Sequence, residues 1–149
     1  MFSCTDLDLI MPNLYLGGVF AATEESTLEE KKITHVLTMG NNMPPKFPDS
    51  YTYKVCELDD DDSEDIKQFF DEGVEFIDKA IEGGGTVFVH CAAGVSRSST
   101  MVCAYLMKKY NWKFTKALSF TQEKRWVVCP NQGFQKQLSD FEIELGIGK

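Results

Sequence analysis

Cys91 and Arg97, a cysteine and an arginine with five residues between them, have the types and the spacing for nucleophilic chemistry on a bound anion. They lie between residues 86–90, a run typical of a strand buried on both faces, and residues 97–110, where a helix is expected. A short loop from a strand into a helix turns consecutive backbone N–H groups towards the helix N-terminus, where they form a cradle for an anion. This loop therefore predicts a site for one phosphoryl group.

The cysteine at the base of this cradle is the predicted nucleophile. The backbone donors, the helix dipole and the Arg97 guanidinium would stabilise the Cys91 thiolate, which is the reactive form. Arg97 is expected to close over the anion with a bidentate contact. Ser98 is placed to hydrogen-bond the sulfur when it becomes a leaving group. The residues expected to bind phosphate, together with Arg97, are Ala92, Ala93, Gly94, Val95 and Ser96, of which the glycine permits the sharp turn.

Strand and helix patterns alternate along the chain and would position this loop. The predicted strands are residues 10–17, 33–39, 51–58 and 86–90. The predicted helices are residues 19–32, a segment from about 65 to the glycines at 83–85, and residues 97–110, 113–124 and 132–145. Strands separated by helices indicate an α/β fold with a central, mostly parallel sheet flanked by helices. The length of 149 residues fits a single domain spanning 1–149.

Composition and charge exclude several classes of protein. The net charge of −8 argues against a nucleic-acid partner, which would need a basic surface. The five cysteines form no C-x-x-C pair and only two histidines accompany them, so we expect neither a zinc site nor a disulfide framework. Residues 1–4 lack the layout of a leader peptide, and no apolar run is long enough to span a membrane. We expect a cytoplasmic protein, with the nucleus as an additional location, and no membrane partner.

The sequence resembles the protein tyrosine phosphatase superfamily, and within it the dual-specificity branch. The segment His-Cys-x5-Arg-Ser at residues 90–98 carries the resemblance. Four further segments occur in the family's order, at residues 10–18, 33–37, 104–107 and 130–138. The resemblance implies a hydrolase of phosphotyrosine and phosphoserine or phosphothreonine in phosphoprotein substrates. It also implies a phosphocysteine intermediate and no metal or organic cofactor.

The resemblance implies an aspartic acid as proton donor, on the loop between the third predicted strand and the next helix. Four consecutive aspartates, Asp59–Asp62, occupy this loop. Asp60 is consistent with the family's layout, and Asp59 is its main rival. His90 is expected to hydrogen-bond the loop backbone and to tune Cys91 instead of taking a proton from substrate. Asn131 resembles a family position that supports the loop by side-chain hydrogen bonds.

Three further residues have open roles. Arg125, next to Lys124, is expected to be a solvated helix end, with a contact to the far side of the loop or to substrate as the alternative. Trp126 stands where the family often has proline, so it belongs either to the core or to the substrate surface. Cys56 is either an unpaired strand cysteine or a partner that traps oxidised Cys91 as a disulfide.

Two alternative functions follow from the same resemblance. Relatives that act on phosphoinositides typically place lysines in the loop, and an RNA phosphatase would need a basic groove. Here the loop side chains are uncharged and the chain is acidic, so a phosphoprotein substrate is favoured. A catalytically silent phosphoprotein-binding module would usually lack the cysteine, the arginine or the acid, whereas this chain has candidates for all three.

Overall fold

The computed structural model describes residues 6–147 and has a five-stranded sheet at its centre. The strands are β1 (Leu7–Met11), β2 (Leu14–Gly17), β3 (His35–Met39), β4 (Thr52–Cys56) and β5 (Val87–His90). Their order in the sheet is β1-β2-β5-β3-β4, and only the β1–β2 pair is antiparallel. This confirms the predicted α/β fold with a mostly parallel sheet.

Helices cover both faces of the sheet. They are α1 (Val19–Ala22), α2 (Glu25–Glu30), α3 (Phe70–Glu82), α4 (Arg97–Tyr110), α5 (Phe114–Lys124) and α6 (Gln132–Glu144), with a 3₁₀ turn at Lys67–Phe69 before α3. One core lies between the sheet and α3 to α6, and a smaller one lies between the sheet and α1 and α2. Strand β5 is buried at all four positions, because it is central in the sheet and covered on both faces.

Turn chemistry accounts for two differences from the sequence predictions. The predicted strand at 10–17 is two strands, because Asn13 adopts the left-handed conformation (φ +70°) and turns the chain back into a hairpin. The predicted helix at 19–32 is interrupted at Thr23 and Glu24. There the Thr23 hydroxyl donates to the carbonyl oxygens of Val19 and Phe20, and Glu24 is extended. Side-chain bonds of this kind compete with helix continuation.

Helix α4 extends over the predicted residues and anchors the loop that precedes it. All residues from Ser98 to Met107 are buried, and the helix packs against α3, α5 and α6. Asn111 ends it in the left-handed conformation, at φ +58°. Since α4 is surrounded by other helices, its N-terminus is fixed at the carboxyl edge of β5.

The expectation of no leader peptide concerns residues 1–4, which lie outside the described part of the chain. Within residues 6–147, no helix is both long and apolar enough to cross a bilayer. In the same range, no cluster of three or more His, Cys, Asp or Glu side chains could hold a metal ion.

The central position of β3 predicts a large effect of truncating its side chains. Leu37 is fully buried, and its backbone neighbours are Lys54 of β4 and Val89 of β5. Leu37→Ala should lower the free energy of unfolding by about 2–5 kcal/mol, because the lost contacts leave a cavity. Leu9→Ala is the matched control, since Leu9 is 50% exposed on β1, and it should change stability by no more than about 0.5 kcal/mol. Urea unfolding measures both, and equal losses would contradict this account of the core.

Candidate active site

Residues 91–96, hereafter the phosphate loop, connect β5 to α4. Within the described part of the chain, the backbone N–H groups of residues 92–97 donate to no protein acceptor. Gly94 has φ +70°, and a Cβ there would lie 2.5 Å from the carbonyl carbon of Gly17. A side chain at this position is thus excluded by conformation and by space. The loop has the free donors and the sharp turn that were expected of an anion cradle.

Cys91 lies buried at the start of this loop, with 2% of its surface exposed. Its Sγ is 3.1 Å from the Oγ of Ser98, in the first turn of α4. The backbone N–H of Cys91 donates to the carbonyl oxygen of Gly17 on β2. The sulfur is therefore held between the end of the sheet and the start of α4, within reach of one hydroxyl donor.

One nitrogen of the Arg97 side chain donates to the protein, whereas another has no acceptor among the described residues. Its Nη1 donates to the carbonyl oxygen of Leu58 at 3.0 Å, and a Cβ on Gly40 would lie 2.9 Å from the same nitrogen. Its Nε is buried and has no hydrogen-bond partner among the described residues. A buried donor left unsatisfied costs about 1–3 kcal/mol. The Nε–H is thus a free donor that an anion seated in the loop would satisfy.

Asn131 connects the phosphate loop to the acidic loop at residues 59–62. Its backbone N–H donates to the Oγ of Ser96 at 3.0 Å, and its Nδ2 donates to Asp60 Oδ1 at 2.9 Å. Its Oδ1 also accepts from the backbone N–H of Phe134 and so caps α6. Asp59 instead accepts a hydrogen bond from Asn41 at 2.9 Å. Of the two candidate acids, Asp60 is the one joined to the phosphate loop through a single residue.

Close packing fixes the acidic loop against α6. A Cβ on Gly133 would lie 2.0 Å from the carbonyl oxygen of Asp62, so only glycine allows this approach. Asp61 accepts hydrogen bonds from both the backbone N–H and the hydroxyl of Ser63, and these bonds lower its pKa. The aspartates beside Asp60 therefore have structural contacts of their own.

His90 lies beneath the phosphate loop as a neutral imidazole. Burial lowers its pKa to about 4. Its Nδ1 is 3.2 Å from the carbonyl oxygen of Cys91, and its Nε2 is 2.9 Å from the hydroxyl of Thr38. A carbonyl only accepts, so Nδ1 carries the proton and Nε2 accepts from Thr38. This geometry suits a residue that orients the loop backbone, as the sequence predicted, although its role in tuning Cys91 stays a prediction.

The prediction that Arg125 is a solvated helix end is wrong. Its side chain is 6% exposed and donates to the carbonyl oxygens of Gly94 (Nε, 3.0 Å) and Ala93 (Nη2, 3.1 Å). Asp8 accepts from Nη1 at 3.0 Å, and Asp6 lies 3.5 Å from Nη2. The carboxylates come from residues more than a hundred positions away, so no local pattern could have revealed the burial of this charge. Lys124 next to it is exposed, as expected.

The structure also bears on Trp126 and Cys56. Trp126 is 86% exposed and therefore does not belong to the core. Cys56 is 1% exposed at the end of β4, and burial raises the pKa of its thiol to about 11. A thiol that stays protonated is a poor nucleophile. This environment favours the unpaired strand cysteine over the disulfide partner of Cys91.

Known proteins are similar to this chain in sequence and in fold. Residues 14–144 match the family model described as "Dual specificity phosphatase, catalytic domain". The Arabidopsis thaliana protein named "Dual specificity protein phosphatase 1" is 45% identical over 139 residues, which cover 93% of this chain and 70% of that protein.

Two solved human structures have the same fold over nearly their whole length. The tyrosine phosphatase-like serine/threonine/tyrosine-interacting protein has a TM-score of 0.89 at 34% identity, with 93% of this chain and 96% of that chain covered. DUSP28 has a TM-score of 0.91 at 27% identity, with 97% of each chain covered.

The burial of His90 predicts a loss of stability at mildly acidic pH. A lowered pKa of about 4, against about 6.5 in the unfolded chain, means that the unfolded state binds more protons between these values. Stability should thus fall as the pH falls through this window, with His90 contributing about 2 kcal/mol between pH 7.5 and pH 5. Urea unfolding at both pH values should show a smaller pH effect in His90→Asn than in the wild type. A pH effect that persists in His90→Asn, and disappears in His35→Asn, would contradict this assignment.

The Arg125 contacts predict that this residue maintains the shape of the anion cradle. Arg125→Met removes the donors to Ala93 and Gly94, and the affinity for inorganic phosphate should fall about 10- to 100-fold. Lys124→Met removes one neighbouring exposed charge and is the control, with a change expected within about twofold. Isothermal titration calorimetry measures both. An Arg125→Met protein that folds and binds phosphate as the wild type does would show that the loop keeps its shape unaided.

Proposed function

We propose that this chain, which belongs to the dual specificity phosphatase family, is a single catalytic domain that hydrolyses phosphotyrosine and phosphoserine or phosphothreonine in phosphoproteins. The family is one of cysteine-based protein phosphatases. The assignment of Cys91 and Arg97 to catalysis and phosphate binding rests on one observation. The buried Cys91 sulfur lies at the start of a loop whose N–H groups, together with the Nε of Arg97, have no acceptor among the described residues. These free donors support the proposal that the loop binds the equatorial oxygens of a phosphoryl group.

In the first step of the proposed reaction, the Cys91 thiolate attacks phosphorus. An S–P bond forms and the bond from phosphorus to the ester oxygen breaks, with its electron pair going to that oxygen. Asp60 donates a proton to the leaving oxygen, so the product is a neutral alcohol or phenol. The loop N–H groups and Arg97 stabilise the charge on the three equatorial oxygens throughout. The enzyme is left as a phosphocysteine.

In the second step, water replaces the sulfur. The Asp60 carboxylate takes a proton from the water as its oxygen attacks phosphorus, and the S–P bond breaks with its electron pair returning to sulfur. Ser98 Oγ, 3.1 Å from Cys91 Sγ, donates a hydrogen bond to the developing thiolate. Inorganic phosphate leaves, and Asp60 is again protonated for the next cycle.

The choice of Asp60 over Asp59 rests on hydrogen bonding. Asn131 bonds both to Asp60 and to Ser96 of the phosphate loop, so it holds the Asp60 carboxyl beside the loop. Asp59 bonds to Asn41, in the segment after β3. A general acid must reach the leaving oxygen of an ester bound in the loop. The Asn131 bridge supports Asp60 for this role.

Phosphoproteins suit the loop better than polyanionic substrates do. Ala92 and Ala93 are exposed at the loop and carry no charge. An inositol phosphate or an RNA end would bring additional phosphates, which need cationic partners to replace their water. Among residues 91–97, Arg97 supplies the one cationic side chain. A catalytically silent binding module is the remaining alternative, and turnover distinguishes it.

Turnover of two phosphate esters tests the mechanism. Wild-type protein should hydrolyse para-nitrophenyl phosphate and phosphotyrosine without added metal, and Cys91→Ser should reduce kcat by about 10⁴-fold or more. Asp60→Asn should reduce kcat on phosphotyrosine by about 10²-fold or more. It should affect para-nitrophenyl phosphate less, since that phenolate leaves more easily without a proton. The decline of rate at high pH, which reports the required acid, should be lost in Asp60→Asn.

Asp59→Asn is the matched control, because it changes the neighbouring carboxyl and keeps Asp60. It should retain the high-pH decline and a kcat within about twofold of the wild type. Loss of the decline in Asp59→Asn alone would make Asp59 the acid. Tight binding of a phosphopeptide without turnover of either ester would replace the enzyme by a binding module.

A further inference from the structure

Two large aromatic side chains are mostly exposed among residues 6–147. Phe20 on α1 is 74% exposed, and Trp126 after α5 is 86% exposed. Exposed aromatic residues are enriched where proteins contact other molecules, since they supply a large apolar area with few rotatable bonds. Their position relative to the phosphate loop decides which molecule they would contact.

Both aromatic residues follow directly after a residue that hydrogen-bonds to the phosphate loop. The backbone N–H of Val19, which precedes Phe20, donates to the carbonyl oxygen of Ala92 at 3.0 Å. Arg125, which precedes Trp126, donates to Ala93 and Gly94. Phe20 therefore follows a residue bonded to Ala92, and Trp126 follows a residue bonded to Ala93 and Gly94, so two different elements bring an exposed aromatic residue towards the first half of the loop.

The loop residues between them are apolar as well. Ala92 and Ala93 are both exposed. We call Phe20, Ala92, Ala93 and Trp126 together the apolar rim. None of these side chains carries a charge or a hydrogen-bonding group, except for the indole N–H of Trp126. A carboxylate or an additional phosphate placed against this surface would lose water without gaining a partner, whereas an aliphatic or aromatic residue would bury apolar area.

The apolar rim and the proposed acid meet different parts of the phosphate loop. The rim includes Ala92 and Ala93, in the first half of the loop. Asp60 adjoins its last residue, Ser96, through Asn131. A substrate whose leaving oxygen faces Asp60 can therefore have part of its chain over the rim without displacing the acid.

We propose that the apolar rim selects substrates with a large aliphatic or aromatic residue next to the phosphorylated residue. The proposal rests on the proposed function, because a phosphoryl group seated in the loop is what brings the neighbouring residues to the rim. Consecutive residues of an extended peptide are about 3.3–3.6 Å apart, so the residue beside the phosphorylated one lies next to the loop. Phe20 and Trp126 are thus specificity-determining residues.

Paired phosphotyrosyl peptides test this proposal. The two peptides are identical, except that the residues on both sides of phosphotyrosine are leucine in one and asparagine, similar in size, in the other. The wild-type kcat/KM should be about tenfold higher for the leucine peptide. The ratio of the two values should fall towards one in Trp126→Ser and Phe20→Ser, and reach about one in the double variant. Because the readout is a ratio within one protein, partial loss of folded enzyme does not affect it.

Two further variants make the test specific. Ile143→Ser replaces another exposed apolar residue, 68% exposed near the far end of α6 from Asn131, and should keep the full preference. Trp126→Phe retains an aromatic ring and should keep most of it. Equal rates on both peptides in active wild-type protein, or an unchanged preference in the double variant, would overturn the apolar rim alone. No turnover of either peptide or of para-nitrophenyl phosphate would overturn the proposed function, and the rim proposal with it.

Discussion

The phosphate loop depends on hydrogen bonds to the carbonyl oxygens that face away from the anion. A loop that directs consecutive N–H groups towards one anion must direct the carbonyls of the same segment elsewhere. A buried carbonyl without a donor would cost about 1–3 kcal/mol. All six carbonyls of residues 91–96 have donors. The Cys91 carbonyl accepts from the His90 ring, and the Ala92 carbonyl accepts from the Val19 N–H. Arg125 donates to the carbonyls of Ala93 through Nη2 and of Gly94 through Nε. The Val95 carbonyl accepts from the Cys129 N–H and the Ser99 hydroxyl, and the Ser96 carbonyl accepts from the Thr100 N–H and from the hydroxyls of Thr100 and Ser99.

These donors explain why the loop needs the whole fold around it. They come from the end of β5, from α1, from α4, from the residue after α5 and from the segment before α6. Arg125 in turn requires the two carboxylates of Asp6 and Asp8, at the start of the chain, to compensate a buried guanidinium. Packing of the helices around α4 fixes the distances between these groups. The anion cradle is therefore a property of the assembled domain, and the nine-residue motif alone does not determine it.

The predictions that depend on local sequence patterns agree with the structure, whereas those that depend on single turn residues or on distant partners do not. The spacing of Cys91 and Arg97, the buried run of β5 and the helix from residue 97 are local, and the structure has them where they were predicted. The hairpin at Asn13 and the break at Thr23 were missed, because a left-handed asparagine or a hydroxyl bonded to its own helix changes direction without a change in hydrophobic pattern. Arg125 was misjudged because its partners are distant in sequence.

Hydrogen bonds distinguish the aspartates of the acidic loop from one another. The sequence offers four adjacent aspartates that composition does not distinguish. The structure gives each of the first three a different partner: Asn41 for Asp59, Asn131 for Asp60 and Ser63 for Asp61. Only the second of these partners also contacts the phosphate loop. The carboxylates of this acidic run thus become unequal sites, because their hydrogen bonds go to different partners.

Local charge, and not the net charge of −8, governs how an anion binds at this loop. Two carboxylates form ion pairs with Arg125, so its charge is largely neutralised within the protein. Arg97 and the N–H dipoles of residues 92–97, which have no acceptor among the described residues, then supply the remaining positive potential at the loop. Surface carboxylates farther than about 8 Å are screened at physiological ionic strength, so they hardly weaken that field at the loop. A cradle in which Arg97 is the one cationic side chain among residues 91–97, within a chain of net charge −8, is thus consistent with the proposed phosphoprotein substrate, which presents a single phosphoryl group.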